Sequence, residues 1–187
     1  MSPGTRPTNE PGSSPNIKSL APRQLMQLDT KVDLIRNFSQ DEFSRALESW
    51  DWIGIGDKSP LFTSPFGDVF FRAADGFWWL DTLEATLTRP WTTGEELKAT
   101  LNIPEGQDQY LLAGLAASAE RQGIVPNTGQ VYGFKIPPVL SGATNLSNVE
   151  VIDFVVSLNL LGQLHKQVRD LPPGTQISGF TLDGTAP

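Results

Sequence analysis

The side chains able to carry chemistry are few in this sequence, and their spacing does not gather them. A nucleophilic triad needs a histidine base; the chain has one histidine, His165, and no G-x-S-x-G around any serine. Zinc sites need several His or Cys ligands, alone or with carboxylates, and H-E-x-x-H is absent. There is no cysteine, which removes disulfides, thiolate catalysis and cysteine-ligated metal. The segment GIGDKS resembles a nucleotide loop only in part. The Rossmann fingerprint would need glycine where Ser59 stands, and a P-loop needs four residues between its first glycine and a Gly-Lys pair; a tight structural turn is the expectation. Glu95 and Glu96 look like a carboxylate pair, yet they stand at the start of a helix, where the macrodipole accounts for them. Asp153, inside an apolar run, is expected to be hydrogen-bonded in a sheet or exposed at its end, with a functional acid as the alternative. His165 borders an apolar stripe and reads as a hydrogen-bonded boundary residue. No catalytic residue, metal ligand or cofactor is therefore assigned. A carboxylate-dependent hydrolase or a Mg²⁺ site stays open as the least favoured reading.

Charge and composition narrow the partners. The chain has 187 residues, 39% of them apolar, with five Trp and ten Phe, enough for a substantial core in one domain or two small lobes. Its formal charge of −7 argues against a nucleic-acid surface and against an anionic membrane surface, and suits a basic protein partner. The first thirty residues lack the apolar block of about 7–15 residues that a secretory signal carries, and no run approaches ~18 apolar residues. The expectation is a cytoplasmic protein with no membrane span.

The elements that must hold such a surface are legible in outline. Residues 1–30, rich in Pro, Ser, Thr and Asn, are expected to form a disordered tail. Lys31–Trp50 reads as helical, with Ser39 and Glu42 spaced as a capping box where a second helix can begin. Pro65–Leu83 reads as a β-hairpin turning at Ala73–Gly76, with aromatic residues on both faces. One set fills the core, and the other meets a second layer or forms an exposed patch, the buried reading being favoured. Thr93 and Glu96 mark another capping box, Gln107–Gln122 a helix closed by Gly123, and Gln130–Pro137 a strand. From Val149 an apolar run reads as a strand covered on both faces, passing into a helix whose buried stripe is Leu161, Leu164, Val168 and Leu171, stopped by Pro172 and Gly174. Thr175–Phe180 reads as a possible edge strand. The fold class is α+β: a small mixed or antiparallel sheet with helices packed against it, in two lobes.

The run VYGFKIPPVLSGATNLSNVEVIDFVVSLNLLGQLHKQVRDLPPGT resembles the C-terminal domain of Tdi-type type VI secretion immunity proteins. The resemblance rests on the Tyr132–Phe134 strand, the Pro137–Gly142 loop, the strand Ser147–Asp153 and the run Leu161–Gly174, and covers about 107–179. The hairpin FGDVFFR…FWWLD and the helix before it resemble, more loosely, a GAD-like module. Beyond the tail at 1–30 that composition suggests, the resemblance implies a GAD-like module at 31–106 and a Tdi-type domain at 107–183. It also implies a cytoplasmic protein that binds a cognate toxin, often a nuclease, and blocks its active site. A scaffold or interaction module of the same fold is the alternative.

Charge fits that implication independently. A nuclease site is basic, so an acidic protein can occupy it and gain on-rate and specificity. Between Asp68 and Asp108 there are three basic and eight acidic residues. If the chain has an inhibitory face, this segment is the candidate: Asp68, Asp75, Asp81, Glu84, Glu95 and Glu96 as acids, with Trp78 or Trp91 as aromatic anchors. A plain solvated surface is the alternative.

Overall fold

The computed structural model describes residues 33–172 and residue 175; the expected tail at 1–30 and all but the first residue of the expected strand at 175–180 lie outside them. Among the described residues Ser39 opens the first helix, α1 (Gln40–Leu47). Its hydroxyl accepts the Glu42 amide, and the Glu42 carboxylate accepts the Ser39 amide in return. Within the described residues the helix thus starts at the expected cap, and 33–38 of the expected helical stretch are not helical. The residues before it run extended, and Arg36 pairs its backbone with Thr63 in both directions, at 3.0 and 2.9 Å. A 3-10 helix, Glu48–Ile53, follows α1 and ends at Gly54.

Four strands then form an antiparallel meander: β1 (Ser59–Thr63), β2 (Val69–Ala73), β3 (Gly76–Asp81) and β4 (Thr86–Trp91). The hairpin of β2 and β3 is the expected one, with Ala73 opposite Gly76. Both of its faces are covered. Phe62, Phe70, Trp91 and the half-buried Trp79 belong to one core cluster; Val69, Phe71, Leu80 and the half-buried Trp78 belong to the other. The aromatics therefore meet a layer on each side, which is the buried reading.

The first layer is α2 (Gly94–Leu101), α3 (Pro104–Leu111) and α4 (Ala113–Arg121), which contribute Leu97, Leu101, Leu111, Ala116 and Ala119. Thr93 and Glu96 close the expected capping box of α2. The single helix expected at 107–122 is two. Leu112 turns into the left-handed region (φ 50°, ψ 42°), and the Asp108 carboxylate accepts the Gly114 amide at 2.8 Å, capping the restart. Gly123 ends α4 as expected: its amide bonds Glu120 O and the Ile124 amide bonds Ala119 O, the paired C-terminal pattern.

The second layer is α1 with α5 (Phe154–Val168). Between the layers lies a two-stranded antiparallel hairpin, β5 (Gln130–Phe134) with β6 (Val149–Asp153). Its faces divide: Tyr132 and Phe134 enter the first cluster and Val131 the second. The run from Val149 is strand only to Asp153. Asp153 accepts the Val156 amide at 3.0 Å, and that N-cap converts strand to helix. It is exposed at the end of the strand, one of the two positions expected for it. Because α5 begins there, its buried residues are Phe154, Ser157, Leu158, Asn159, Gly162, Leu164 and His165; of the expected stripe only Leu164 is among them, Leu161 and Val168 being half-buried and Leu171 43% exposed and outside the helix. The architecture is α+β in three layers.

Gly162 sets the approach of α5 to the 3-10 segment. A Cβ there would lie 2.8 Å from Trp50 Nε1, an atom already committed to Leu158 O at 2.8 Å, and would also overlap Ser49 Oγ. Gly162→Ala is expected to lower stability by about 1–3 kcal/mol through overpacking. Chemical denaturation checks this, and an unchanged midpoint would contradict the close approach.

Candidate interaction surface

Asp68 is the least surface-like of the acids. It is 3% exposed, and three donors hold it: Ser64 Oγ at 2.8 Å, and the Thr82 amide and hydroxyl, each at 2.9 Å. Burial, with the Asp81 charge adding to it, raises its carboxyl to about 6 against these three hydrogen bonds. Thr82 O in turn lies 3.1 Å from His165 Nε2, so that nitrogen carries the proton. Burial lowers the His165 pKa, the bond to Thr82 and the Asp81 charge opposing it. His165 is thus hydrogen-bonded as expected, but at 6% exposure it belongs to the core and not to its boundary.

Trp91 is also internal, at 4% exposure, with its indole donating to Thr100 Oγ1 at 2.9 Å. Neither Asp68 nor Trp91 has surface to offer a partner in this conformation, because core hydrogen bonds and ring packing use both. Trp78 is half-buried; its indole donates to Asp75 at 2.9 Å, and Lys58 Nζ sits 4.3 Å from the ring centroid. Asp75 also pairs with Arg89 at 3.3 Å.

The remaining acids fall at two ends of β3. Asp81 accepts the Leu83 and Glu84 amides at 2.9 and 3.0 Å, shaping the turn that carries exposed Glu84. Asp75 lies beyond the other end of the strand, about 20 Å away at the usual rise. Glu95 and Glu96 are on the Asp75 side, since Trp91 pairs with Phe77 and a Cβ at Gly94 would lie 3.4 Å from the Phe77 ring. Glu96 is occupied by its capping box, while no hydrogen bond or ion pair engages Glu84 or Glu95 among the described residues. The structure thus sorts the segment into two small acidic groups and a buried hub.

Sequence reasoning did not find a concave feature that the described residues form. A cavity of about 230 Å³ opens between the β5–β6 hairpin and α5, walled by Ile152, Leu160, Leu161 and Leu164, with Phe66 and Leu83 also lining it. Gly133 makes it possible: a Cβ there would stand 2.8 Å from Ile152 Cγ2. Pro137 and Pro138 form the outer wall. Asn148 holds that wall by accepting the Ile136 amide at 3.0 Å and donating to Ile136 O and Ala143 O at 2.8 and 2.9 Å. A glycine inside an aromatic strand and a doubled leucine on the helix were the available signals. Glu150 is the one acid in the lining, so the cavity does not assemble a carboxylate pair, and among the described residues no group of three or more His, Asp and Glu is placed to hold a metal ion. No helix among the described residues is long and apolar enough to cross a membrane.

Residues 94–165 match the family described as T6SS immunity protein Tdi1, C-terminal. The expected resemblance to that type of type VI secretion immunity protein is matched over 107–165; the match also takes in 94–106, expected to be part of the GAD-like module, and does not include 166–179. The matched segment contains α2 to α4, β5, β6 and most of α5. Among solved structures, the crystal structure of Atu4351 from Agrobacterium tumefaciens is similar with a TM-score of 0.42 and 15% identity, over 71% of this chain and 68% of that one. No curated protein matches the sequence.

The raised carboxyl of Asp68 makes a signed prediction. Folded Asp68 keeps a proton between its ordinary pKa of 3.8 and about 6, where the unfolded chain has released it. Its contribution to stability is therefore complete below 3.8 and is lost as pH rises through about 6, a swing of roughly 3 kcal/mol. His165, lowered by burial, works in the opposite sense, so the comparison has to be between variants. The melting temperature of Asp68→Asn minus that of the wild type is expected to increase from pH 4 to pH 6.5. Parallel melting-temperature curves would show that Asp68 does not titrate as a buried acid.

Proposed function

We propose that this chain is the immunity partner of a cognate type VI secretion toxin and neutralises it by covering the toxin's active site in the cytoplasm, with no reaction of its own. The observation that carries the proposal is the match of residues 94–165 to an immunity-protein family. Net charge supports the occlusion step. At −7, the chain is repelled by nucleic acid and attracted to a protein whose active site is basic, as a nuclease site is. In this reading the GAD-like segment 31–106 and the Tdi-type segment 107–183 act as one binding body. Each core cluster draws residues from both, Phe70 with Tyr132 in one and Trp50 with Leu158 in the other. No cofactor, metal or nucleic acid takes part.

Glu84 and Glu95 are the acids best placed to meet a basic partner, since both are exposed and no hydrogen bond or ion pair engages their carboxylates among the described residues. Asp75, Asp81 and Glu96 contribute field while shaping turns and caps, and Trp78 contributes ring surface beside Lys58.

Co-expression of the chain with the toxin encoded beside it is expected to restore growth, and the purified pair to associate. Glu84→Lys combined with Glu95→Lys should slow association roughly tenfold at low salt and flatten the salt dependence of the rate. Absence of rescue by the wild type would defeat the immunity reading. An unchanged association rate in the double variant would move the contact face away from these acids.

A further inference from the structure

We infer that the cavity between the β5–β6 hairpin and α5 is the anchor site of a protein interface, and that it takes an apolar side chain of the partner flanked by lysine or arginine. The inference rests on the immunity reading only for which protein brings that side chain.

The cavity is preformed. Its opening depends on a missing side chain at Gly133 and a small one at Ser157, and the proline wall is held by the three hydrogen bonds of Asn148. A site held open in this way accepts a side chain without reorganising, which is what makes a pocket an energetic centre of an interface. At about 230 Å³ it has room for a leucine or a phenylalanine.

Apolar surface continues beyond the mouth. Val156 is 50% exposed and stands one helical turn before Leu160. Ile136, 55% exposed, precedes the proline wall. Large apolar residues left half in water next in sequence to the lining residues Ser157 and Pro137 add apolar surface near the cavity, whereas scattered ones need no explanation.

Charge selects the flanks of the incoming side chain. Two charged residues line the cavity, Lys135 and Glu150. The Lys135 ammonium is already donated to Ser147 O at 2.9 Å. Glu150 has no hydrogen bond or ion pair among the described residues. Leu83, also in the lining, is followed directly by exposed Glu84. Lys135 keeps its positive charge, but Glu150 and Glu84 outnumber it two to one, so the rim is net acidic and a basic flank is favoured over an acidic one.

The test uses capped tetrapeptides as probes and ¹³C-methyl NMR on the full chain, reading Ile152, Leu160, Leu161 and Leu164. Lys-Phe-Leu-Lys is expected to shift these methyls saturably in the millimolar range, about what a single buried side chain supplies. Glu-Phe-Leu-Glu should need at least roughly fivefold more peptide, and Lys-Ser-Ser-Lys should leave the methyls unmoved. Leu160→Arg should abolish the shifts; Glu150→Lys, a strand-surface change, should remove the preference for the basic peptide and keep the fold if the former variant does not. No shift at these four residues, equal binding of the acidic peptide, or shifts that appear on concentrating the protein alone would overturn the inference, the last by assigning the pocket to a second copy. The toxin separates the two readings. If the wild type and both variants bind it equally, the pocket inference fails and the immunity reading stands. If the basic peptide engages the pocket while no toxin is neutralised, the reverse holds.

Discussion

A carboxylate taken out of water must find donors, and Asp68 finds them on two different turns. Ser64, four residues earlier, closes the β1–β2 loop around it; Thr82, at the end of β3, gives it both an amide and a hydroxyl. The loop from Ser64 to Asp68 is wholly buried, an unusual place for a connection, because each backbone group there needs a partner. Ser64 Oγ takes the amides of Phe66 and Asp68, Ser64 O takes that of Gly67, and Pro65 O takes the Tyr132 amide from β5 at 2.8 Å. Thr82 O passes the chain of bonds to His165 on α5. One polar junction thus ties the meander, the second hairpin and the long helix together. Removing its acid would leave the Thr82 amide buried without a partner, a cost of about 1–3 kcal/mol on its own.

The same junction places the surface features. The buried loop sends Phe66 into the cavity, the Thr82 turn sends Leu83 into it and Glu84 out beside it, and α5, held at His165, brings Leu161 and Leu164 over the strand. The cavity and its charged edge therefore share a foundation with the core. In the proposed complex a change at the junction would disturb binding and stability together, while a change at Glu84 or Glu150 would touch binding alone.

How much of this was legible follows from how local each interaction is. Both capping boxes close within four residues, Ser39 with Glu42 and Thr93 with Glu96, and both could be read directly. The β2–β3 hairpin closes within a tight turn and was equally plain. β4 was hidden because Pro90 argues against a strand; the structure resolves this with an edge strand whose register shifts between Phe77 and Trp79, where Pro90 sits in the irregularity. The break at Leu112 was hidden because the 3.6-residue period continues through it, and the cap at Asp108 is supplied by a side chain that helical spacing alone does not single out. Asp68 read as a surface acid because the donor that settles its place, Thr82, is fourteen residues away. The cavity was illegible for the same reason at longer range: Gly133, Ile152 and Leu160 become neighbours only when the second hairpin meets the helix.

This sorting changes what the acidic segment can do in the proposed complex. Sequence alone invites pairing acids with tryptophans as charge and anchor, yet Trp91 is core and Trp78 is held by Asp75 and capped by Lys58. Exposed carboxylates are well hydrated, so they accelerate encounter and reject wrong partners more than they hold a complex together. Slow dissociation needs apolar area that loses water completely, and at this surface that area lies in the Ile152–Leu160 cavity and its rim, not under the tryptophans. Attraction and retention are therefore assigned to different residues that meet at one place, the turn where Leu83 faces inward and Glu84 faces out.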